Sequence, residues 1–295
     1  MPLEFFHFAE QCRTRVDKAL DQYLPLGEDA TRLRAAMRYS LFNGGKRVRP
    51  ILAYASAIAI NPDIDLDKID PISCALECLH SYSLVHDDLP AMDDDDLRRG
   101  KPTCHIAFSE ASAILAGDGL QTLAFELLTR TDLPPQTQIR LIRALAAGAG
   151  AEGMVLGQAI DLAAVDQQLN LAQLENMHRH KTGALIRASV AMGAIGAGAS
   201  DAQLVALDNY ASAIGLAFQV QDDILDVTAD TATLGKQQGA DIARNKPTYV
   251  SLLGLETART KAEELHRQAE QALASFGENA VYLRQLADYI VHRSN

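Results

Sequence analysis

Tryptophan is absent from the 295 residues, and aromatic side chains make up only 5% of them. Alternating Val/Ile/Thr runs of the kind that form half-buried strands are missing as well, which argues against a β architecture. Cysteine is scarce. Cys12, Cys74, Cys78 and Cys104 include no Cys-x-x-Cys pair and have no histidine set at zinc spacing. Cys74 and Cys78 stand one helical turn apart in an apolar stretch, so buried thiols are expected rather than a disulfide or a metal site. Basic charge is in deficit, with 27 Lys and Arg against 38 Asp and Glu. The net charge of −11 argues against a duplex nucleic-acid binder, because phosphates reward a basic face. Long apolar runs are lacking too: uncharged segments such as residues 188–200 and 209–221 fall short of the ~20 residues that a spanning helix needs. The N-terminus, Met1-Pro2-Leu3-Glu4-Phe5, does not have the basic-then-apolar layout of a signal peptide. Together these absences predict a soluble cytoplasmic protein with no nucleic-acid partner and no membrane insertion.

What is present reads as helix. With 48% hydrophobic and 22% charged residues the chain can bury a substantial core, so global disorder is excluded. The prolines sit where helices start or stop, and none occurs between Gln136 and Lys246, which leaves room for several long helices. Gly198 reads as a helix stop, with Ser200 or Asp201 as the N-cap of the next helix. No Ser/Gly linker or composition shift divides the chain, and no repeat of solenoid period is found. The expectation is one all-α domain spanning residues 1–295.

Two acidic clusters stand out. The first contains His86-Asp87-Asp88, Asp93-Asp94-Asp95-Asp96 and then Arg98-Arg99-Gly100; the second runs Phe218-Gln219-Val220-Gln221-Asp222-Asp223-Ile224-Leu225-Asp226. Asp222 and Asp226 are four apart, hence on one helix face, and the turns before them are apolar. Carboxylates embedded in an apolar helix are costly unless something positive neutralises them. No lysine or arginine lies within one turn of Asp222, Asp223 or Asp226, so a hard divalent cation with oxygen-only ligands, such as Mg²⁺, is the expected partner. An EF-hand fails, because neither cluster has the Gly at loop position six and Glu at position twelve.

The cations are grouped as well. Gly44-Gly45-Lys46-Arg47-Val48-Arg49-Pro50 places three of them behind a glycine pair that lets backbone approach an anion. The Walker spacing is missing. Carboxylates that bind Mg²⁺ beside arginines that bind phosphate oxygens describe a site for a diphosphate.

These motifs strongly resemble the short-chain trans-isoprenyl diphosphate synthases, in particular the bacterial farnesyl diphosphate synthases (geranyltranstransferases). The likeness runs over almost the whole chain. It rests on Gly44-Gly45-Lys46-Arg47-x-Arg49-Pro50, Glu77-x-x-His80, Asp87-Asp88-x4-Asp93 with Arg98-Arg99-Gly100, and Gly157-Gln158-x-x-Asp161. It continues through Lys181-Thr182-Gly183, Phe218-Gln219-x-x-Asp222-Asp223-x-x-Asp226, Gly235-Lys236 and Asn245-Lys246-Pro247. Any one motif is weak; all of them in the family's order are specific.

The resemblance implies a helical isoprenoid-synthase bundle around a deep central cavity, with the acidic motifs facing each other across its mouth. By likeness, three Mg²⁺ ions would bridge Asp87, Asp93 and Asp222 to the diphosphate of an allylic substrate. Asp88, Asp223, Asp226, Gln158 and Asp161 would hold metal-bound waters or orient the ligands. Arg98, Lys181, Lys236 and Lys246 would contact substrate diphosphate, while isopentenyl diphosphate would sit against Lys46, Arg49, His80 and Arg99. The Lys181 carbonyl, the Thr182 hydroxyl and the Gln219 amide oxygen would ease the charge of the allylic cation. The implied reaction condenses isopentenyl diphosphate with dimethylallyl and geranyl diphosphate to farnesyl diphosphate, in a homodimer. A geranylgeranyl product, a terpene cyclase and a non-catalytic regulatory subunit are the competing readings; the basic pocket speaks against cyclisation and the intact acidic motifs against the subunit. On the helix ending at Asp87, Ser83 lies roughly 6 Å and Tyr82 about 7.5 Å down the axis. The family likeness makes an aromatic at the position of Tyr82 the floor that sets a fifteen-carbon product.

Overall fold

Proline and hydroxyl signals place the helix starts. Pro71 and Pro135 lie in the first turns of α4 (Asp70–Asp87) and α7 (Pro135–Ala149), where a missing N–H costs nothing. Ser109 caps α6 (Glu110–Thr129), and Asn170 closes a reciprocal capping box with Gln173 at the start of α9 (Leu171–His178). At the expected stop, α10 (Ala184–Gly196) ends just before Gly198, whose φ is 86°. Ser200 and Gln203 then cap α11 (Asp201–Thr228) by exchanging backbone and side-chain bonds. The computed structural model describes residues 3–27, 31–165, 167–228 and 247–293. The remaining helices are α1 (Leu3–Tyr23), α2 (Leu33–Leu41), α3 (Val48–Ile60), the short α5 (Cys104–Ala107) and α8 (Met154–Ala163). After residue 246 come α12 (Tyr249–Leu253), α13 (Leu255–Ala272) and α14 (Val281–His292).

The architecture is all-α, as its sequence predicts, with one small exception. Leu97–Arg98 and Lys101–Pro102 form a two-stranded antiparallel ribbon, β1 and β2. Between them Arg99 and Gly100 both take positive φ, 55° and 75°, the geometry of a tight hairpin turn. The sequence reading missed it because two-residue strands leave no periodic signal.

The centre of the fold is α10. It packs against α3, α4, α7 and α11, and nearly all of its side chains are buried, as befits a helix apolar all round. Small residues allow these close crossings. α4 lies between α6 and α3, and α11 packs along α13. Each large aliphatic side chain taken out of water here contributes about 1.5–3 kcal/mol. All four cysteines are buried free thiols, in line with expectation. Among the described residues no helix is long and apolar enough to cross a membrane.

Between α9 and α10 the chain widens into a π-helical turn, Arg179–Gly183, which carries Lys181 and Thr182. Such turns interrupt the regular ladder and often mark functional sites. α8 packs directly on it: a Cβ built on Gly157 would lie 2.0 Å from the Lys181 backbone nitrogen. Glycine is required here for close approach. In an exposed helix Gly→Ala adds up to ~1 kcal/mol of stability. Here the clash is with main chain and must win, so Gly157→Ala is expected to destabilise by about 1–3 kcal/mol. Urea unfolding measures this, and an unchanged or raised midpoint would contradict the close contact.

Candidate active site

Helices α3, α4, α8, α10 and α11, the π-turn and the hairpin surround a cavity of about 740 Å³. Each polar group at its rim lies one turn from an apolar or small side chain deeper in. On α4 Asp87 precedes Ser83 and Leu84 on the way down; on α8 Gln158 stands above Met154; on the π-turn Lys181 leads to Leu185. On α11 Asp222 stands above Phe218. Ser83, Leu84, Met154, Leu185, Ile186 and Phe218 make up the small and apolar part of this lining, the shaft.

Most of the residues singled out from the sequence meet in this space. Asp87 and Asp222 line it from the acidic motifs, with Gln158, Lys181, Thr182 and Gln219 beside them. Lys46, Arg49, His80, Arg98 and Arg99 line it from the basic motifs, and so does Ser83. Asp88, Asp93, Asp161, Asp223, Asp226 and Tyr82 are not part of the lining. Lys236 and Lys246 lie outside the described residues.

The acidic side is held by its own partners. Asp87 accepts a hydrogen bond from the Gln158 amide, and its pKa is raised, above all by burial, with Lys181 opposing and Asp93 adding. Lys181 donates to Asp161 at 2.6 Å. Burial works against its charge, but Asp87 and Asp161 outweigh burial, so its pKa stands above the ordinary lysine value. Asp88 is buried and takes three hydrogen bonds from Arg98, at 2.6–2.9 Å, instead of facing the cavity. Arg98 is therefore shared between the cavity wall and Asp88. Asp223 accepts the Tyr249 backbone N–H at 2.6 Å and so anchors the start of α12.

One local inference needs correction. No cation lies within a turn of Asp222, but Arg293, from the far end of the chain, donates to it and packs 4.3 Å over the Phe218 ring. The two residues are 71 apart in sequence, and no spacing rule could have paired them. Among the described residues there is also no group of three or more Asp, Glu, His or Cys side chains placed to hold a metal.

The basic side is crowded. Arg49 is pushed down to about 10 by burial, with Glu77 opposing and Arg99 adding, and its Nε has no partner. His80 is held well below the usual histidine value by burial and then by Arg49, Arg99 and Arg98, so it is neutral, with Nδ1 buried and unpartnered. Gly44 and Gly45 have φ of 90° and 125°. What lies against them is the Arg99 guanidinium, which donates to the Gly44 carbonyl and leaves no room for a Cβ on Gly45. The glycine pair thus admits a cation of the site itself.

Tyr82 points away from the cavity. Its ring meets His86 edge-on, centroids 5.3 Å apart at 82°, beside Asp118 and Gln121 of α6. One residue along a helix turns a side chain by about 100°, which separates it from Ser83.

His178, which ends α9 next to the π-turn, stacks on Tyr249 at 5.7 Å and 21°. Both of its ring nitrogens are buried without partners, and burial pushes its pKa down to about 4. In the unfolded chain it returns to 6.5. The folded state therefore binds fewer protons, and this share of stability is present above pH ~6.5 and lost as pH falls toward ~4. Between about pH 7 and pH 4.5 the protein is expected to lose about 2 kcal/mol more than His178→Phe, which keeps the stacked ring. Parallel urea-midpoint profiles for the two proteins would refute this.

The sequence profile of the polyprenyl synthetase family matches residues 30–283. The chain is 50% identical over 300 aligned positions to the farnesyl diphosphate synthase of Escherichia coli K12, covering 99% of this chain and all of that one. It is 45% identical to a chloroplastic geranylgeranyl pyrophosphate synthase of Catharanthus roseus, over 95% of this chain and 79% of that protein. A crystal structure of an FPP/GFPP synthase from Zymomonas mobilis superposes with a TM-score of 0.88 at 42% identity, over 99% and 100% of the two chains. Shared motifs, shared fold and identity over nearly the full length agree: the chain belongs to the polyprenyl synthetase family.

Proposed function

We propose that the chain is a farnesyl diphosphate synthase that joins isopentenyl diphosphate head-to-tail to dimethylallyl and then to geranyl diphosphate. The observation that carries this reading is a single cavity lined by carboxylates, Asp87 and Asp222, by cations, Lys46, Arg49 and Arg99 with neutral His80 beside them, and by apolar side chains, among them Leu185, Ile186 and Phe218. Two diphosphates and a hydrocarbon tail fit those three surfaces.

Enzymes of this family use Mg²⁺. The donors here suit it: Mg²⁺ is held through one or two carboxylates together with substrate phosphates and waters, so a ready-made protein cage is not needed. In this proposal Asp87, Asp93 and Asp222 would hold the Mg²⁺ ions, three by family resemblance, which would supply Lewis-acid stabilisation of the departing diphosphate. Lys181 and Arg98, already charged and fixed by Asp161 and Asp88, add donors to the same anion without reorganising. The Thr182 hydroxyl, Gln219 and the main chain of the π-turn ease the allylic cation. The apolar side chains below keep water and other nucleophiles from it, so that the isopentenyl double bond attacks, and the released diphosphate takes the last proton. The second diphosphate sits against Lys46, Arg49, His80 and Arg99, and family resemblance makes Lys236 and Lys246 further substrate contacts. One domain acts as a cytoplasmic homodimer in this reading, an expectation supported by family resemblance.

Purified protein with Mg²⁺, isopentenyl diphosphate and geranyl diphosphate should make mainly the fifteen-carbon product, as read by chromatography of the dephosphorylated alcohols. Asp87→Ala and Asp222→Ala should each lower kcat by ~100-fold or more, because a ligand to the leaving group acts chiefly in the transition state. Near-normal turnover in either variant would remove the carboxylate wall from the mechanism.

Product length tests the shaft. Ser83 lines it, so Ser83→Phe should make the ten-carbon product accumulate. Tyr82→Ala should release products of twenty carbons or more if Tyr82 is the floor. Its position beside α6 makes this the sharper of the two tests. Unchanged fifteen-carbon output from Tyr82→Ala would assign the limit to the residues facing the shaft.

A further inference from the structure

One carboxylate stands where simple electrostatics would forbid it. Glu77 of α4 lines the cavity within the cation wall, one turn before His80, and is only 2% exposed. Its Oε1 accepts from Arg47 Nη1 at 2.7 Å, and its Oε2 is buried without a partner. Each guanidinium nitrogen of Arg47 has a protein partner: besides Glu77, its Nε donates to Asp17 of α1 at 2.9 Å and its Nη2 to the Leu41 carbonyl of α2 at 2.7 Å. Arg47, which also lines the cavity, is thus fixed from three sides by the protein. Its backbone, moreover, is left-handed, with φ 52°, immediately before α3 and between Lys46 and Arg49. A long side chain holds that conformation only where its surroundings impose it.

We propose that Glu77 and Arg47 are positioning residues for the cation pocket: the buried pair imposes the turn that sets Lys46 and Arg49 on one wall, and Glu77 offsets the repulsion among Arg47, Arg49 and Arg99 before a diphosphate arrives. The proposal rests on the reading of this wall as the isopentenyl diphosphate site. Two effects oppose each other. Glu77 repels an incoming anion, yet without it the guanidiniums repel one another, the turn loses its anchor and the pocket must be ordered at the expense of binding. The charge of Glu77 also opposes the loss of the Arg49 proton. Contact geometry favours preorganisation, because Glu77 touches Arg47 directly and is walled from solvent.

The two effects predict opposite signs, which makes the test decisive. Steady-state KM for isopentenyl diphosphate and for geranyl diphosphate is measured in Glu77→Gln, in Arg47→Gln and in the double variant. The expected result is a rise of about tenfold or more in isopentenyl KM in each single variant, with geranyl KM within about twofold. The double variant should be no worse than either single one, because both remove the same pair. It also removes both members of the buried Arg47–Glu77 pair at once, so it carries the test if a single variant fails to fold. Glu77→Asp should recover part of the affinity. A lower isopentenyl KM in Glu77→Gln, equal shifts for both substrates, or additive shifts in the double variant would overturn the proposal. Arg49→Ala separates the two levels: if it left isopentenyl KM unchanged, the pocket assignment itself would fall, whereas a large rise there with no effect at Glu77 would sink only the positioning role.

Discussion

Holding many like charges around one cavity is the constraint on which the structure depends. Diphosphate chemistry needs carboxylates on one side and guanidiniums on the other, and each group repels its neighbours until substrate and ions arrive. The protein answers with built-in counter-charges. Lys181 has Asp161, Arg98 has Asp88, Asp222 has Arg293, and Arg47 has Glu77 and Asp17. Of these, Arg47–Glu77 is the pair buried on both sides, and removing one partner of such a pair typically costs about 3–5 kcal/mol, a large share of a domain's net stability. Arg47–Glu77 and Asp222–Arg293 join elements 30 and 71 positions apart, so contacts that tame the site also hold its walls together.

The consequence for catalysis is preorganisation. Donors fixed before the reaction need no reorganisation when charge develops on the leaving group. Lys181 illustrates this: burial alone would favour losing its proton, and the two aspartates near it keep it charged. The π-turn that carries it is set between α8 and α11, with α8 close enough that only glycine fits at position 157. Structure and charge are therefore adjusted by the same residues.

The shaft follows from helix geometry. Four helices present a polar group near the mouth and an apolar or small one a turn deeper, which separates water-loving diphosphates from a hydrocarbon tail and from a cation that must meet no water. The apolar side chains of the lining come from α3, α4, α8, α10 and α11 together.

What the sequence determined by itself was local. Helix starts at Pro71 and Ser200, the helical class, the buried thiols and the two acidic motifs were all readable, because capping, periodicity and short spacings depend on neighbours within a turn or two. The meeting of Lys46, Arg49, His80, Asp87 and Asp222 in one cavity was anticipated from the family likeness of those motifs. Tertiary structure alone decided the partners. Arg293 reaches Asp222 across 71 positions, Arg98 turns to Asp88 through a hairpin too short to leave a pattern, and Tyr82 faces α6 while its neighbour Ser83 faces the cavity. Each of these outcomes depends on which helix faces happen to pack together. Periodicity says which faces are apolar, but which faces meet, and which buried charges pair, is settled only when the chain has closed on itself.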